Sequence, residues 1–203
     1  MENPNKRAIF LDRDGVINKN RSDYVKLWDE FAFEDGALAG LARLAELNLP
    51  VIVITNQAGV GRGIISAAIV DDIHRRMIIA VRQAGGRIDH VLFCPHHPDE
   101  ACDCRKPKPG MLLQAAKQWQ IDLSRSFFVG DAVSDLEAGW AAGCQTVLVK
   151  TGRGKAQLQI AEAGRSDFHV AESLFDAAHW IYQQLVCEQL EQGLTHPMPQ
   201  LKA

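Results

Sequence analysis

Two carboxylates stand one residue apart directly after an apolar run: Ala8-Ile9-Phe10-Leu11 leads into Asp12-Arg13-Asp14-Gly15. A short apolar run that ends at a turn reads as a buried strand. In an open α/β sheet, such strands deliver polar groups to a ligand crevice at their C-terminal ends. Side chains two apart on an extended chain share one side, so Asp12 and Asp14 fall together. Two close carboxylates repel unless a cation or a proton lies between them. The chemistry this suits is a divalent metal site. A bare Asp-x-Asp also reads as a strand followed by an acidic turn, and the later stretches weigh against that.

Three more polar clusters follow apolar runs. Thr55-Asn56-Gln57 follows 51–54, Arg105-Lys106 comes after the run at 91–93, and Gly130-Asp131 follows 127–129 with Asp135 four residues on. Brought to one edge, they supply a carboxylate nucleophile candidate, a second carboxylate, a hydroxyl donor, a fixed cation and a further acidic pair. Hard oxygen donors without soft ligands suit Mg²⁺. Thr55 and Lys106 are donors for phosphate oxygens. A metal and a lysine flanking a phosphoryl group would stabilise the charge of its transfer.

A second constellation lies just before Lys106. Cys94-x-His96 and Cys102-x-Cys104 place three thiols and one imidazole within eleven positions. That is a tetrahedral Zn²⁺ set, closed and therefore structural, which would fold a loop lacking its own core. His97 is the alternative imidazole, and reduced surface thiols beside a chance histidine are the alternative to a metal. Cys144 and Cys187 sit in apolar contexts and read as small core residues.

These residues need elements to hold them. Strands are expected at 8–11, 51–54, 91–93, 127–129 and 146–149, with a short run at 168–170. Helices are expected at 37–47, from a Ser66 N-cap to about 84, at 111–119, 136–142 and 174–191. The glycines at 59–63 read as a turn that lets Thr55 and Asn56 backbone approach phosphate. The irregular stretch 18–35 is long for a βα connection, and such loops often carry function. Alternation of strand and helix with right-handed crossovers gives an α/β fold, a doubly wound parallel sheet with one active edge. A single domain is expected over 1–192 and a flexible tail over 193–203.

The chain has 203 residues, a formal net charge of −3 and five cysteines. That balance gives no push toward nucleic acid or an anionic membrane. No run approaches the ~20 apolar residues of a membrane span, and residues 1–7 carry no secretory segment, so a cytoplasmic monomer acting on a small molecule is expected. His74, His90, His169 and His179 show no partner pattern and read as structural or surface groups. Trp119, Trp140 and Trp180 read as packing. Lys150 and Arg153 are either substrate-facing or a solvated edge.

The ordered set of Asp12-x-Asp14, a strand ending in Thr55-Asn56, Lys106 and Gly130-Asp131-x-x-x-Asp135 resembles the haloacid dehalogenase superfamily of phosphohydrolases. The resemblance covers residues 8–154. It implies that Asp12 is a nucleophile forming an aspartyl-phosphate, and that Asp14 protonates the leaving oxygen and then activates water. It implies Mg²⁺ on the Asp12 carboxylate, the Asp14 main-chain carbonyl and Asp131, with Thr55 and Lys106 on the transferred phosphate and Asp135 supporting them. The run Cys94-Pro95-His96-His97-Pro98 through Cys102-x-Cys104-Arg105-Lys106-Pro107, after Thr55-Asn56-Gln57-x-Gly59, is similar to the heptose bisphosphate phosphatases and the related histidinol-phosphate phosphatases, which lack a large cap. By that likeness Arg105 contacts a second phosphate. Asn56, Gln57 and the loop Arg21, Ser22, Asp23, Tyr24 contact the phosphorylated sugar. A phosphatase removing the 7-phosphate of a heptose 1,7-bisphosphate is the expected function. A histidinol-phosphate phosphatase is the alternative, and a non-catalytic zinc-bearing binding module is the alternative of another class. The chain departs from the pattern at Ala132, where many relatives carry lysine. Arg62 or Lys108 would have to compensate.

Overall fold

The computed structural model describes residues 6–165 and 167–191. The tail expected at 193–203 lies outside these. Six strands form one all-parallel sheet in the order β3-β2-β1-β4-β5-β6. They are β1 (Ile9–Leu11), β2 (Val51–Asn56), β3 (His90–Cys94), β4 (Phe127–Gly130), β5 (Gln145–Val149) and β6 (His169–Ala171). The helices are α1 (Ala37–Glu46), α2 (Ala58–Gly61), α3 (Ala67–Gln83), α4 (Gly110–Trp119), α5 (Val133–Ala142), α6 (Gly154–Gly164) and α7 (Leu174–Glu191).

The central strands are apolar throughout because both sheet faces are covered. Ile9, Leu11, Val51, Val53, Phe127 and Val129 point to one face, against Leu41 and Leu44 of α1, Ile73 and Met77 of α3, and Ile181 of α7. The alternate residues Phe10, Ile52, Ile54 and Phe128 pack on the other face with Met111, Leu112 and Ala115 of α4 and Ala138 of α5. Each such fully buried side chain contributes roughly 1.5–3 kcal/mol relative to exposure. Strand order reverses between β1 and β4, which pair directly. A doubly wound sheet opens its ligand crevice at that reversal, and Asp12 and Asp131 leave from its two sides.

Two local expectations change. Residues 59–63 are not wholly irregular: α2 forms a single turn of helix before Arg62. Residues 154–164 form α6, where the sequence suggested only a connection; the helix begins and ends on glycine and buries just Gly154 and Ala161. The Ser66 cap is as expected, its Oγ accepting from the Ile69 N–H at 3.3 Å. Gly143 closes α5 in the left-handed region.

Candidate active site

Asp12 follows β1 and is still tied to the sheet, its N–H donating to the Val129 carbonyl at 2.9 Å. Its carboxylate meets Lys106, whose ammonium reaches Asp12 Oδ1 at 2.8 Å, Asp135 Oδ1 at 2.7 Å and the Ile54 carbonyl at 2.9 Å. Three acceptors match the three N–H bonds of an ammonium. Lys106 is buried, and although desolvation alone would lower its pKa, Asp12 and Asp135 outweigh this and raise it. Asp12 is pushed up to about 6 by burial, with Lys106 opposing and Asp135 and Asp14 adding repulsion. Asp135 Oδ2 also accepts from the N–H groups of Asp131 and Ala132 at 3.2 and 3.1 Å, fixing the start of α5.

Asp131 directly follows β4 and is sealed by backbone. Gly15 has φ +89°, and a Cβ there would lie 2.1 Å from Asp131 Oδ2; one at Gly152, with φ +54°, would lie 2.4 Å from the same atom. Only glycine fits both places. Thr151 Oγ1 ties the two loops by donating to the Gly15 carbonyl at 2.7 Å. Asp131 Oδ2 accepts from the Arg153 N–H at 2.8 Å and from Asn20 Nδ2 at 3.2 Å. Burial and the nearby Asp12 charge raise the Asp131 pKa, with Arg153 opposing. Carboxylate oxygens of Asp12, Asp131 and Asp135 lie within 4.8 Å of one another. Buried hard oxygens whose repulsion Lys106 and Arg153 only partly offset, so that the Asp12 and Asp131 pKa values stay raised, fit a small divalent cation such as Mg²⁺.

Asp14 is held differently. Arg13 Nε donates to Asp14 Oδ2 at 3.1 Å and Nη2 to Oδ1 at 3.1 Å. Asn18 Nδ2 donates at 3.0 Å and Gln57 Nε2 at 2.9 Å. Burial pushes the Asp14 carboxyl up, but the Arg13 guanidinium and these hydrogen bonds outweigh it and hold it below the usual range.

Asp12, Arg13, Asp14, Lys106 and Asp135 open onto a cavity of about 680 Å³ that also takes in Asn20, Arg21, Ser22, Tyr24, Thr55, Asn56, Gln57, Arg62, Arg105, Ser134 and Arg153, while Asp131 lies fully buried beneath it. Six cationic side chains line it against three carboxylates. Arg105 Nη1 is buried there without a hydrogen-bond partner among the described residues.

Some expected contacts are already occupied by the protein itself. Asn56 exchanges two hydrogen bonds with the Lys106 backbone, both 3.1 Å, so its side chain anchors the lysine. Gln57 bridges Arg13, Asp14 and Thr55 Oγ1. Asp23 is not among the cavity-lining residues; it pairs with Arg21 at 2.9 Å and with Lys26 at the exposed side of its loop. Lys108 pairs with Asp103 at 2.9 Å and Lys150 with Glu172 at 2.5 Å, neither in the cavity. Arg153 lines the cavity with Nη2 3.3 Å from Asp131. Arg13, Asn20 and Ser134 were not singled out by sequence. An arginine between the two aspartates was the available signal.

The cysteine cluster closes beside this cavity. Cys94 Sγ is 3.5 Å from His96 Nδ1 and 3.5 Å from Cys102 Sγ, while Cys104 Sγ is 3.2 Å from His96 Nδ1 and 3.5 Å from Cys102 Sγ. Zn–S bonds of about 2.3 Å at tetrahedral angles imply S···S edges of about 3.8 Å, close to these spacings. All three cysteines are unbridged. Burial and the neighbouring thiols push Cys104 up to about 12, which a cation at the centre would reverse. His97, the other imidazole, caps the 3₁₀ turn Pro98–Glu100 instead. A Cβ at Gly61 would lie 2.2 Å from the His97 nitrogen, so α2 and the cysteine loop touch backbone to backbone.

Comparison with known proteins places this geometry among relatives. A HAD-hydrolase-like family model matches residues 103–177. A D-glycero-beta-D-manno-heptose-1,7-bisphosphate 7-phosphatase of Pseudomonas aeruginosa is 46% identical over 149 residues, 73% of this chain and 84% of that protein. The protein of that name from Bordetella bronchiseptica is 40% identical over 179 residues, 88% of this chain and 99% of the relative. A crystal structure of the D,D-heptose 1,7-bisphosphate phosphatase from B. bronchiseptica, complexed with magnesium and phosphate, superposes with a TM-score of 0.83 at 40% identity, covering 88% of this chain and 99% of that one.

Proposed function

From the chain's membership in the haloacid dehalogenase superfamily, in the family of the heptose 1,7-bisphosphate 7-phosphatases, we infer the reaction its residues perform. The protein is a phosphoric monoester hydrolase, and its substrate is D-glycero-D-manno-heptose 1,7-bisphosphate, which loses its 7-phosphate. The observation that carries this reading is Arg105: its buried Nη1 has no partner among the described residues, on the same cavity as Lys106 and Arg62, so a cation is left over for a second phosphate.

In this proposal Asp14, ionised at rest under Arg13, takes up a proton as the phosphate charge arrives beside it; a carboxylate oxygen of Asp12 then attacks phosphorus and the sugar alkoxide leaves, taking that proton from Asp14. Asp14 then removes a proton from the water that hydrolyses the aspartyl-phosphate. Lys106 and Thr55 hold the phosphoryl oxygens, and Asp135 keeps Lys106 charged and in place. Asp12, Asp131 and the Asp14 main-chain carbonyl would hold Mg²⁺, which supplies a fixed positive charge against the transferring group. Arg105, with a free buried N–H, and Arg62 and Arg21 on the same cavity suit the remote phosphate. Arg153 supplies the cation absent at Ala132. Cys94, His96, Cys102 and Cys104 would hold a structural Zn²⁺. We place the protein in the cytoplasm as a monomer feeding heptose, and so lipopolysaccharide, synthesis; no helix among the described residues is long and apolar enough to cross a membrane.

The test is a panel of both heptose bisphosphate anomers and histidinol phosphate, followed by ³¹P NMR. The expected result is loss of the 7-phosphate with the anomeric phosphate retained. Faster turnover of histidinol phosphate would overturn the substrate assignment.

A further inference from the structure

His74 sits on α3 and reaches under the site, nearly buried, its ring edge-on to Phe93 of β3 at 5.6 Å. Its Nε2 is 3.0 Å from Arg13 Nη1. A guanidinium only donates hydrogen bonds, so Nε2 must accept and the ring is neutral with its proton on Nδ1. Burial first, and then the Arg13 charge, push the His74 pKa down to about 3, in keeping with that state. Arg13 is itself almost fully buried. Its Nε and Nη2 serve Asp14, and Nη2 also reaches Gln57 Oε1 at 3.1 Å. Gln57 Nε2 in turn donates to Asp14 Oδ2 at 2.9 Å and to Thr55 Oγ1 at 2.8 Å. The guanidinium is thus pinned at two ends. One end is the Asp14 carboxylate; the other, among the described residues, is the His74 ring.

A planar fork held at both ends has one orientation, and the carboxylate it grips shares it. With His74 removed, Nη1 would be a buried donor without an acceptor, and the fork would turn toward whatever acceptor lay nearest. We propose that His74 is a positioning residue for phosphoryl transfer: through Arg13 it fixes the carboxylate of Asp14 for proton transfer to the leaving sugar oxygen. This rests on the reading of Asp14 as the acid and base.

The experiment compares His74→Leu, His74→Gln and Asp14→Asn in the full-length, metal-loaded protein. Single-turnover cleavage is followed on heptose bisphosphate and on p-nitrophenyl phosphate, whose phenolate leaves without needing a proton. His74→Leu is expected to slow heptose bisphosphate cleavage by about 10- to 100-fold, as a misplaced proton donor would. KM should stay within about twofold, and p-nitrophenyl phosphate cleavage should fall by less than about threefold. His74→Gln, which offers an amide oxygen to Nη1, should recover most of the rate. Equal losses on both substrates, or no loss in His74→Leu while Asp14→Asn is inactive on the sugar, would refute the positioning role alone. An active Asp14→Asn would refute the acid–base reading and the proposal with it. If His74→Leu does not fold, Arg13→Lys keeps the charge and drops the fork. It should give the same leaving-group split, and equal losses there would count against the proposal.

Discussion

In the proposed mechanism Lys106 is the residue on which the two halves of the chemistry meet. Its ammonium lies between Asp12 and Asp135 and is almost wholly buried at the cavity wall. Replacing it by methionine removes the cation both from the transferred phosphate and from a buried carboxylate pair. Steady-state kinetics of Lys106→Met should show kcat lowered by about 10²–10³-fold, the scale of losing one preorganised charge at a transition state. Breaking a buried ion pair from one side costs roughly 3–5 kcal/mol, so thermal melting should show the same variant less stable. Asp12→Asn should lose at least about 10³-fold, because no nucleophile remains to accept the phosphoryl group; rapid-quench trapping of phosphoenzyme is the direct check, and full activity would remove Asp12 from that role.

At the scale of elements, the stretch from β3 to α4 sets where Lys106 stands. Its four metal-type ligands end two residues before that lysine, and its backbone rests on Gly61 of α2. Cys102→Ser should lower zinc content measured by mass spectrometry, lower the melting temperature and reduce kcat, although Cys102 touches no substrate. An unchanged melting temperature after zinc stripping would contradict a structural ion. Gly61→Ala places a methyl group into His97 backbone. That should destabilise by about 1–3 kcal/mol, the usual cost of forced overpacking, and shift the metal loop. Denaturant melts, read beside zinc retention, separate that displacement from simple loss of helix propensity.

Across the whole molecule, dialysis against a magnesium chelator should abolish turnover, and adding the ion back should restore it, with far-UV circular dichroism unchanged throughout. The sheet itself does not need the ion, since its core is apolar on both faces. That apolar core is also why the architecture was legible. Buried parallel strands leave unbroken apolar runs, and the polar residues just beyond them mark one edge. The gathering of Asp12, Asp14, Thr55, Lys106 and Asp131 at that edge was therefore legible from position, while the roles proposed for them come from the family resemblance. What escaped notice depended on distant partners. His74 acquires meaning only when Arg13, 61 residues away, is folded beneath it. Arg153 lies 22 residues from Asp131, on a loop the sequence leaves ambiguous. The helix α6 lacks an apolar stripe because it buries so little.

The placement of the cysteine loop next to Lys106 has a consequence for the cell. With zinc on the four proposed ligands, magnesium-dependent turnover would be tied to the supply of a second, scarcer metal. When zinc is limiting, newly made chains would fold their sheet and lack a properly seated lysine. Phosphatase turnover would then slow without any fall in magnesium.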